Sequence, residues 1–181
     1  GFFISVLRKK GKQDFKPARN QRISELKPSK ADRNIAKRWT DFRDDRFFKR
    51  GDELFAAPCG MDDFLHLFQN LKVVKTGTKI FAVKNNDYLP CHDLSLSGHI
   101  RKDAFHTTEF DLTNAISYLR RDNFIRGNSV KGWNIITYKG IYLGFIKDMG
   151  NRVNNYFPVE WRIRMNKPDS GTENTIKWDN N

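Results

Sequence analysis

Cationic, amide and aromatic side chains are gathered between residues 120 and 164. Guanidinium and ammonium groups pair with phosphate, and aromatic rings stack on unpaired bases. This set therefore predicts binding of nucleic acid rather than a covalent reaction. The candidate RNA-binding residues are Arg120, Arg121, Lys139, Lys147, Arg152, Asn154, Asn155, Tyr156, Trp161, Arg162 and Arg164.

These residues also have a structural interpretation. A basic stretch can be a merely solvated surface, and aromatic side chains often belong to a core. Trp133 is expected in the core, because it shares one face of a predicted strand with Ile135 and Thr137. Tyr156 and Trp161 lie among Arg and Asn residues, where stacking on bases is physically attractive.

Nucleophilic and metal-binding residues are few and poorly spaced. The two cysteines, Cys59 and Cys91, lack a Cys-x-x-Cys arrangement, so we expect free thiols. His92 and His99 follow Cys91, but adjacent Cys and His are poorly placed to chelate one ion. The sequence therefore predicts no metal site and no catalytic residue in this chain.

Charge and composition narrow the class of protein. The 181 residues include 33 Lys and Arg against 21 Asp and Glu, a net charge of +12. The excess lies mostly in residues 1–50, and a second basic zone spans 120–164, which predicts salt-sensitive nucleic-acid binding. Fifteen Phe and four Trp suffice for a core. No apolar run approaches the roughly 20 residues that cross a bilayer. We expect a cytoplasmic monomer without membrane contact.

The first half of the chain predicts a helix and a hairpin. Ser29 can cap a helix that places Ile35 and Trp39 on one face. The segments Arg46–Arg50 and Glu53–Ala57 flank a Gly-Asp pair and predict a strand–turn–strand unit. Further along, Asp62 can cap a short helix, and Val73–Thr76 with Lys79–Val83 predict another hairpin around Gly77.

The second half predicts a strand over Phe105–Phe110 and a helix capped by Asp111. Trp133–Tyr138 and Ile141–Phe145 then flank a two-residue Lys-Gly turn, which predicts a tight β-hairpin because Gly can supply the positive φ of such turns. Residues 151–158 read as a polar, basic and aromatic loop that contributes little to a core. A final strand is predicted near residues 161–165. Periodicity alone thus predicts an α+β fold of short strands and helices.

The hairpin and the loop after it resemble a known family. The matching positions are Gly132-Trp133, Tyr138, Gly140, Leu143-Gly144, Lys147, Asn155, Tyr156, Pro158 and Arg162. They are similar to the C-terminal segment of bacterial RNA cytosine-C5 methyltransferases of the Nol/Nop/Sun type. Gly1–Arg8 resembles the last strand of that family's catalytic domain. Asn154 departs from the pattern, because the family often has Lys there.

The resemblance implies a small mixed α/β module followed by a PUA-like β-barrel, an RNA-binding domain, with one or two short helices. The implied divisions are a catalytic-domain strand plus basic linker at 1–28, an α+β module at 29–103, the PUA-like domain at 104–168 and a tail at 169–181. In the family, the S-adenosylmethionine site and both catalytic cysteines precede the strand that Gly1–Arg8 resembles. Pro58-Cys59-Gly60 follows that strand and lacks the Ser of the family's catalytic motif.

We therefore expect no enzyme activity and no cofactor in this chain, with S-adenosylmethionine bound outside it in the parent methyltransferase. The expected partners are RNA, ribosomal in the first instance, and the protein's own catalytic domain. The expected role is to hold structured RNA for methylation at cytosine C5. Two alternatives remain open from the sequence, namely a standalone PUA-like RNA-binding adaptor and a protein-interaction domain.

Overall fold

The computed structural model describes Ser5, Lys10 and residues 27–57 and 74–165. The helices are α1 (Lys30–Trp39), α2 (His92–Ser95) and α3 (Leu112–Arg120), with 3₁₀ turns at Asp44–Arg46 and Val159–Trp161. The strands are β1 (Phe47–Arg50), β2 (Glu53–Ala56), β3 (Thr78–Lys84), β4 (Asp87–Pro90), β5 (His106–Glu109), β6 (Gly132–Tyr138), β7 (Ile141–Asp148) and β8 (Val153–Asn155). They form a first sheet, β1-β2-β3-β4, and a second sheet, β5-β6-β7-β8. Within the described ranges, no helix is long and apolar enough to span a bilayer.

A capping box begins α1. The Ser29 hydroxyl accepts a hydrogen bond from the Asp32 backbone N–H at 3.1 Å, and the Asp32 carboxylate accepts one from the Ser29 N–H at 3.0 Å. The Lys49 ammonium of β1 lies 3.1 Å from the same carboxylate, which is buried. Trp39 packs into the core at the other end of the helix. The predicted helix after Ser29 is confirmed.

The first sheet is antiparallel throughout, and one of its hairpins follows the sequence pattern. The predicted pairing of Arg46–Arg50 with Glu53–Ala57 is confirmed by β1 and β2. A second hairpin, not foreseen from the sequence, joins β3 to β4 through Asn85 and Asn86, both with positive φ. Two positive-φ residues form a turn whose twist matches that of the flanking strands.

The predicted hairpin around Gly77 is wrong. Residues 74–76, the described part of its first strand, form no strand, and β3 pairs with β2 and β4 instead. Gly77 has φ +58° just before β3, and a Cβ there would lie 2.2 Å from the Ala56 carbonyl oxygen. Gly77 therefore permits a close backbone approach rather than a hairpin turn. The helix predicted from Asp62 lies outside the described residues.

The second sheet confirms three predictions. β5 forms within Phe105–Phe110 and runs parallel to β6. Between them, α3 begins where the Asp111 carboxylate accepts a hydrogen bond from the Asn114 N–H at 2.7 Å. β6 and β7 form the predicted hairpin, turning at Lys139 and Gly140 with φ 49° and 75°.

The C-terminal part differs from the prediction in two ways. Residues 153–155 form β8, and Phe157 is buried in the core, so residues 151–158 are more than a polar loop. The strand predicted at 161–165 is wrong. Residues 159–161 form a 3₁₀ turn, and the Ile163 N–H donates to the Leu119 carbonyl at 3.1 Å. Because this hydrogen bond goes to the end of α3, the segment does not join a sheet.

Two hydrophobic clusters hold the sheets. The first is shared by both sheets and includes Trp39, Phe81, Phe105, Ile135 and Phe145. The second lies between α3 and the opposite face of the second sheet, and its buried members are Phe110, Ala115, Tyr118, Ile136, Ile146 and Phe157. The α+β class is confirmed. In residues 27–57 and 74–165 the strands pair as two separate sheets, not as a closed barrel. The boundary near residue 103 stays a prediction.

Candidate nucleic-acid interface

A cleft of about 510 Å³ opens where the chain leaves α3. One wall is the segment after the helix and the other is the turn between β7 and β8. Its lining residues are Arg121, Asp122, Asn123, Phe124, Arg126, Asn151, Arg152, Val153 and Asn155. We call it the arginine cleft. Guanidinium groups, amides and one ring are suited to hold phosphate and to contact a base.

The first wall is fixed by the end of α3. Arg121 adopts a left-handed conformation with φ 61°, and its guanidinium donates a hydrogen bond to the Phe157 carbonyl. The Asn114 side-chain oxygen accepts from the Ile125 N–H at 2.9 Å and so ties the segment back to the helix. The Phe124 ring lies 5.3 Å from that of Phe110, which anchors it to the second cluster.

The second wall depends on a buried carboxylate. Asp148 accepts hydrogen bonds from the Ser129 hydroxyl at 2.6 Å and from the Gly150 N–H at 2.7 Å. These hydrogen bonds hold the pKa of Asp148 below its usual range. The Arg126 guanidinium lies 3.7 Å from Asp148 and donates to the Gly150 carbonyl at 2.9 Å. Arg126 is therefore partly neutralised, whereas Arg152 has no ion pair among the described residues.

Two further arginines lie beside the cleft because of the hydrogen bond between Ile163 and Leu119. Arg162 and Arg164 flank Ile163, are exposed and have no ion pair within residues 27–57 and 74–165. Arg120, the last residue of α3, pairs with Asp122 at 2.9 Å. Its Nη1 is buried without a hydrogen-bond acceptor in the described structure. Cations at this end also complement the helix dipole.

Other predicted site residues have internal contacts. The Asn155 amide donates to the Tyr118 carbonyl at 2.8 Å, and its oxygen accepts from the Phe157 N–H at 2.8 Å. The Tyr156 ring lies 4.5 Å from that of Trp133, on the side of the cluster shared by the sheets. These contacts position the arginine cleft. Direct contact of Asn155 and Tyr156 with RNA stays a prediction.

Lys147 and Lys139 lie away from the arginine cleft, and Asn154, between the lining residues Val153 and Asn155, does not itself line it. Lys147 pairs with Asp87 of the first sheet, and its ammonium lies 5.1 Å from the Trp133 ring centroid. Asn154 is next to Lys147 across the β7–β8 pairing. Lys139 is exposed in the hairpin turn, 5.5 Å from the Tyr138 ring. Because β6 runs parallel to β5 and α3 returns between them, this turn lies near the start of α3, about 20 Å from the cleft.

Sequence reasoning missed several lining residues. Arg126 belongs to the basic zone at 120–164, but nothing in its spacing separates it from solvated arginines. Asn123, Phe124 and Asn151 lie in connecting segments without periodicity. Their association depends on two loops about 25 residues apart meeting at one end of α3, which no local pattern encodes.

The Cys91 thiol is not an activated nucleophile. Cys91 is a free thiol, as predicted, and burial raises its pKa to about 12. A thiol with so high a pKa is not a thiolate at neutral pH. Cys59 lies outside the described residues. Within the described part of the chain, no three His, Cys, Asp or Glu side chains converge as a metal site would require.

Comparison with known families identifies the part of the chain that contains this cleft. Residues 105–163 match the family described as the methyltransferase RsmF PUA domain. The match spans the second sheet, α3, the arginine cleft and Arg162. No curated protein matches the chain. The sequence resemblance is thus confirmed for these residues, which are similar to the PUA part of an RsmF-type methyltransferase, and the match indicates RNA binding.

Proposed function

We propose that residues 105–163 bind RNA through the arginine cleft, together with Arg162 and the adjacent Arg164, on behalf of an RNA cytosine-C5 methyltransferase. One observation carries the proposal. Arg121 and Arg152 line the cleft, Arg162 and Arg164 flank Ile163, whose N–H bonds to the end of α3, and none of the four has an ion pair among the described residues. A guanidinium without a carboxylate partner is available for phosphate.

The shape of the site favours an irregular or unpaired stretch of RNA over a flat contact with a duplex. The cleft volume of about 510 Å³ is of the order occupied by a nucleotide-sized ligand. Phe124 contributes a ring, while Asn123 and Asn151 contribute amides that can hydrogen-bond to base edges. The arginines around them would fix the sugar-phosphate backbone.

In this account the chain recognises RNA and does not itself transfer the methyl group. A catalytic domain, outside the residues described here, would bind S-adenosylmethionine and act on the target cytosine. Ribosomal RNA is the proposed substrate, following the methyltransferase family named in the match. Holding RNA at the arginine cleft would present a nearby cytosine to that domain.

Fluorescence anisotropy with the purified chain tests RNA binding. A structured ribosomal RNA fragment and a duplex DNA of equal length are titrated over a series of salt concentrations. We expect tighter binding to RNA, with an affinity of about 10⁻⁶ M that falls as salt rises. Replacing Arg162 and Arg164 by Ala should weaken binding and reduce the salt slope by about one per lost phosphate contact.

The part of the chain that contains the first sheet, residues 27–57 and 74–104, is called the first sheet region. The matched control removes two of its cations, Lys37 and Arg43, both of which pair with carboxylates. This control should bind RNA nearly as well as the unaltered chain. Equal losses in both double variants would refute a localised site and indicate nonspecific attraction. Methyl transfer to RNA by this chain alone, measured with labelled S-adenosylmethionine, would refute the proposal that a separate catalytic domain transfers the methyl group.

A further inference from the structure

Trp161 is a large aromatic side chain left at the surface beside the end of α3. It is 53% exposed and closes the 3₁₀ turn at Val159–Trp161. Arg162 and Arg164, two exposed arginines without ion pairs in the described structure, follow Trp161 in the chain. A ring beside phosphate-binding cations is the arrangement that stacks on an unpaired base.

The Trp161 ring is held by a residue from outside the matched region. His92 of α2 contacts it edge-on, with ring centroids 5.2 Å apart and an interplanar angle of 82°. His92 makes a similar contact with Phe157, at 5.1 Å and 83°. Among the aromatic pairs of the described residues, Trp161 has no other ring partner.

His92 reaches this position because β7 has a glycine at 144. A Cβ at Gly144 would lie 3.0 Å from His92 Nδ1 and 2.4 Å from the Tyr118 hydroxyl. Burial also lowers the pKa of His92, although nearby Asp93 acts in the opposite direction. The ring is therefore neutral at neutral pH and packs against Phe157 and Trp161 without placing a buried charge near the arginines.

Resting on the proposed RNA-binding function, we propose that His92 is a positioning residue for RNA recognition, which holds Trp161 as a stacking platform for an unpaired base. On this account α2, which lies outside residues 105–163, takes part in binding although it contacts no RNA itself. The ligand is a single-stranded segment, because the bases of a duplex are already stacked on one another. The phosphates on either side of the stacked base would meet Arg162 and Arg164.

Anisotropy with a labelled single-stranded RNA and the matching RNA duplex tests this role. Trp161→Ala should weaken single-strand binding roughly tenfold and duplex binding by less than about twofold. His92→Ala and His92→Gln should each weaken single-strand binding by several fold. His92→Phe retains an aromatic ring and should bind the single strand about as tightly as the unaltered chain does. Leu96→Ala, at an exposed position near α2, is the matched control and should have no effect.

A double-mutant cycle separates positioning from a general effect on the fold. If His92 acts through Trp161, adding His92→Ala to Trp161→Ala causes no further loss. Thermal unfolding measures whether each variant is folded. If His92→Ala does not fold, the same binding comparison is made with His92→Gln. Unchanged binding by folded His92 variants, or the same loss with and without Trp161, would overturn the positioning role while RNA binding stands. Absence of RNA binding by the unaltered chain at low salt would overturn the proposed function and this role with it.

Discussion

Six cations of the first sheet region form ion pairs with carboxylates, whereas most cations of the second region (residues 105–165) do not. In the first region, ion pairs join Arg33 and Lys37 to Asp44, Arg43 to Asp45, Lys49 to Asp32, Lys75 to Asp93 and Lys79 to Glu53. In the second, the described residues without an ion pair are Arg121, Lys131, Lys139, Arg152, Arg162 and Arg164. The difference teaches that the net charge of a segment does not identify a binding surface. What matters is whether its cations already have partners.

The paired cations of the first region and the unpaired cations of the second are expected to affect different properties, the stability of the fold and the affinity for RNA. Carboxylate pairing in the first region ties α1 to β1 through Asp32 and Lys49, and so contributes to the fold. Guanidinium groups of the second region that have no carboxylate partner are available to RNA phosphates. We therefore expect substitutions in the first region to change mainly the free energy of unfolding, and those around the arginine cleft to change mainly RNA affinity.

The largest effect is expected from Asp32→Ala. This change removes the Asp32 half of the capping box of α1 and leaves the Lys49 ammonium without its partner, so the free energy of unfolding should fall by about 3 kcal/mol. Urea denaturation measures it. Asp45→Ala, which breaks only the exposed pair with Arg43, should cost less than about 0.5 kcal/mol. If the Asp32→Ala protein is still folded but binds RNA much more weakly, the first region also determines RNA affinity and the proposed distinction is wrong.

Charge reversal at the arginine cleft is expected to have the next largest effect. Arg152→Glu replaces attraction to phosphate by repulsion and should weaken RNA binding about thirtyfold in anisotropy titrations. Its free energy of unfolding should change by less than about 0.5 kcal/mol, since Arg152 is exposed. Arg43→Glu is the matched reversal in the first region. If it weakens binding as much, the distinction between the two regions is wrong.

Acid should act on the first region through Asp32. Burial alone would raise the pKa of Asp32, but hydrogen bonds from Ser29 and Lys49 outweigh it and hold the pKa below its ordinary value of 3.8. As the pH falls, the Asp32 carboxylate is therefore protonated in the unfolded chain before it is protonated in the folded chain. The stabilising contribution is complete well above pH 3.8 and is lost as the pH falls through that value toward the folded-state pKa. Denaturation of the unaltered chain and of Asp32→Asn across this range should show a flatter pH dependence for the variant.

The smallest effect is expected at an ion pair of the second region. Asp122 pairs with Arg120 at the end of α3, so Asp122→Ala should release a guanidinium beside the arginine cleft. We expect RNA affinity to rise by about twofold, because a partly exposed ion pair contributes little. The same anisotropy assay at low salt measures it. A fall in affinity would show that Asp122 positions Arg120 instead of masking it.

The sequence predicts correctly those helices and hairpins whose ends are fixed by particular residues. Ser29 with Asp32, and Asp111 with Asn114, satisfy the first N–H groups of their helices, so both helices begin where predicted. The Lys139-Gly140 turn fixes its hairpin because both residues have positive φ. Asn85 and Asn86 also tolerate positive φ, so the turn between β3 and β4 has a local signal of the same kind.

Features that depend on distant contacts could not be predicted. The alternation of Trp161, Ile163 and Met165 suggests a strand, but the Ile163 N–H bonds to α3, so no strand partner forms. The arginine cleft arises from two loops that meet only in the folded chain. The contact of His92 with Trp161 likewise joins residues of the two sheet regions, without a pattern that links them.

NMR can map which residues of the chain contact RNA. The chain is labelled with ¹⁵N and titrated with the structured ribosomal RNA fragment while backbone amide shifts are followed. The account predicts the largest shifts in the walls of the arginine cleft, at residues 121–126 and 150–155, and in the segment 162–164. Residues 43–53 of the first region should change little. Shifts concentrated in that first region, or no shifts at all, would contradict the claim that arginines without carboxylate partners form the RNA interface.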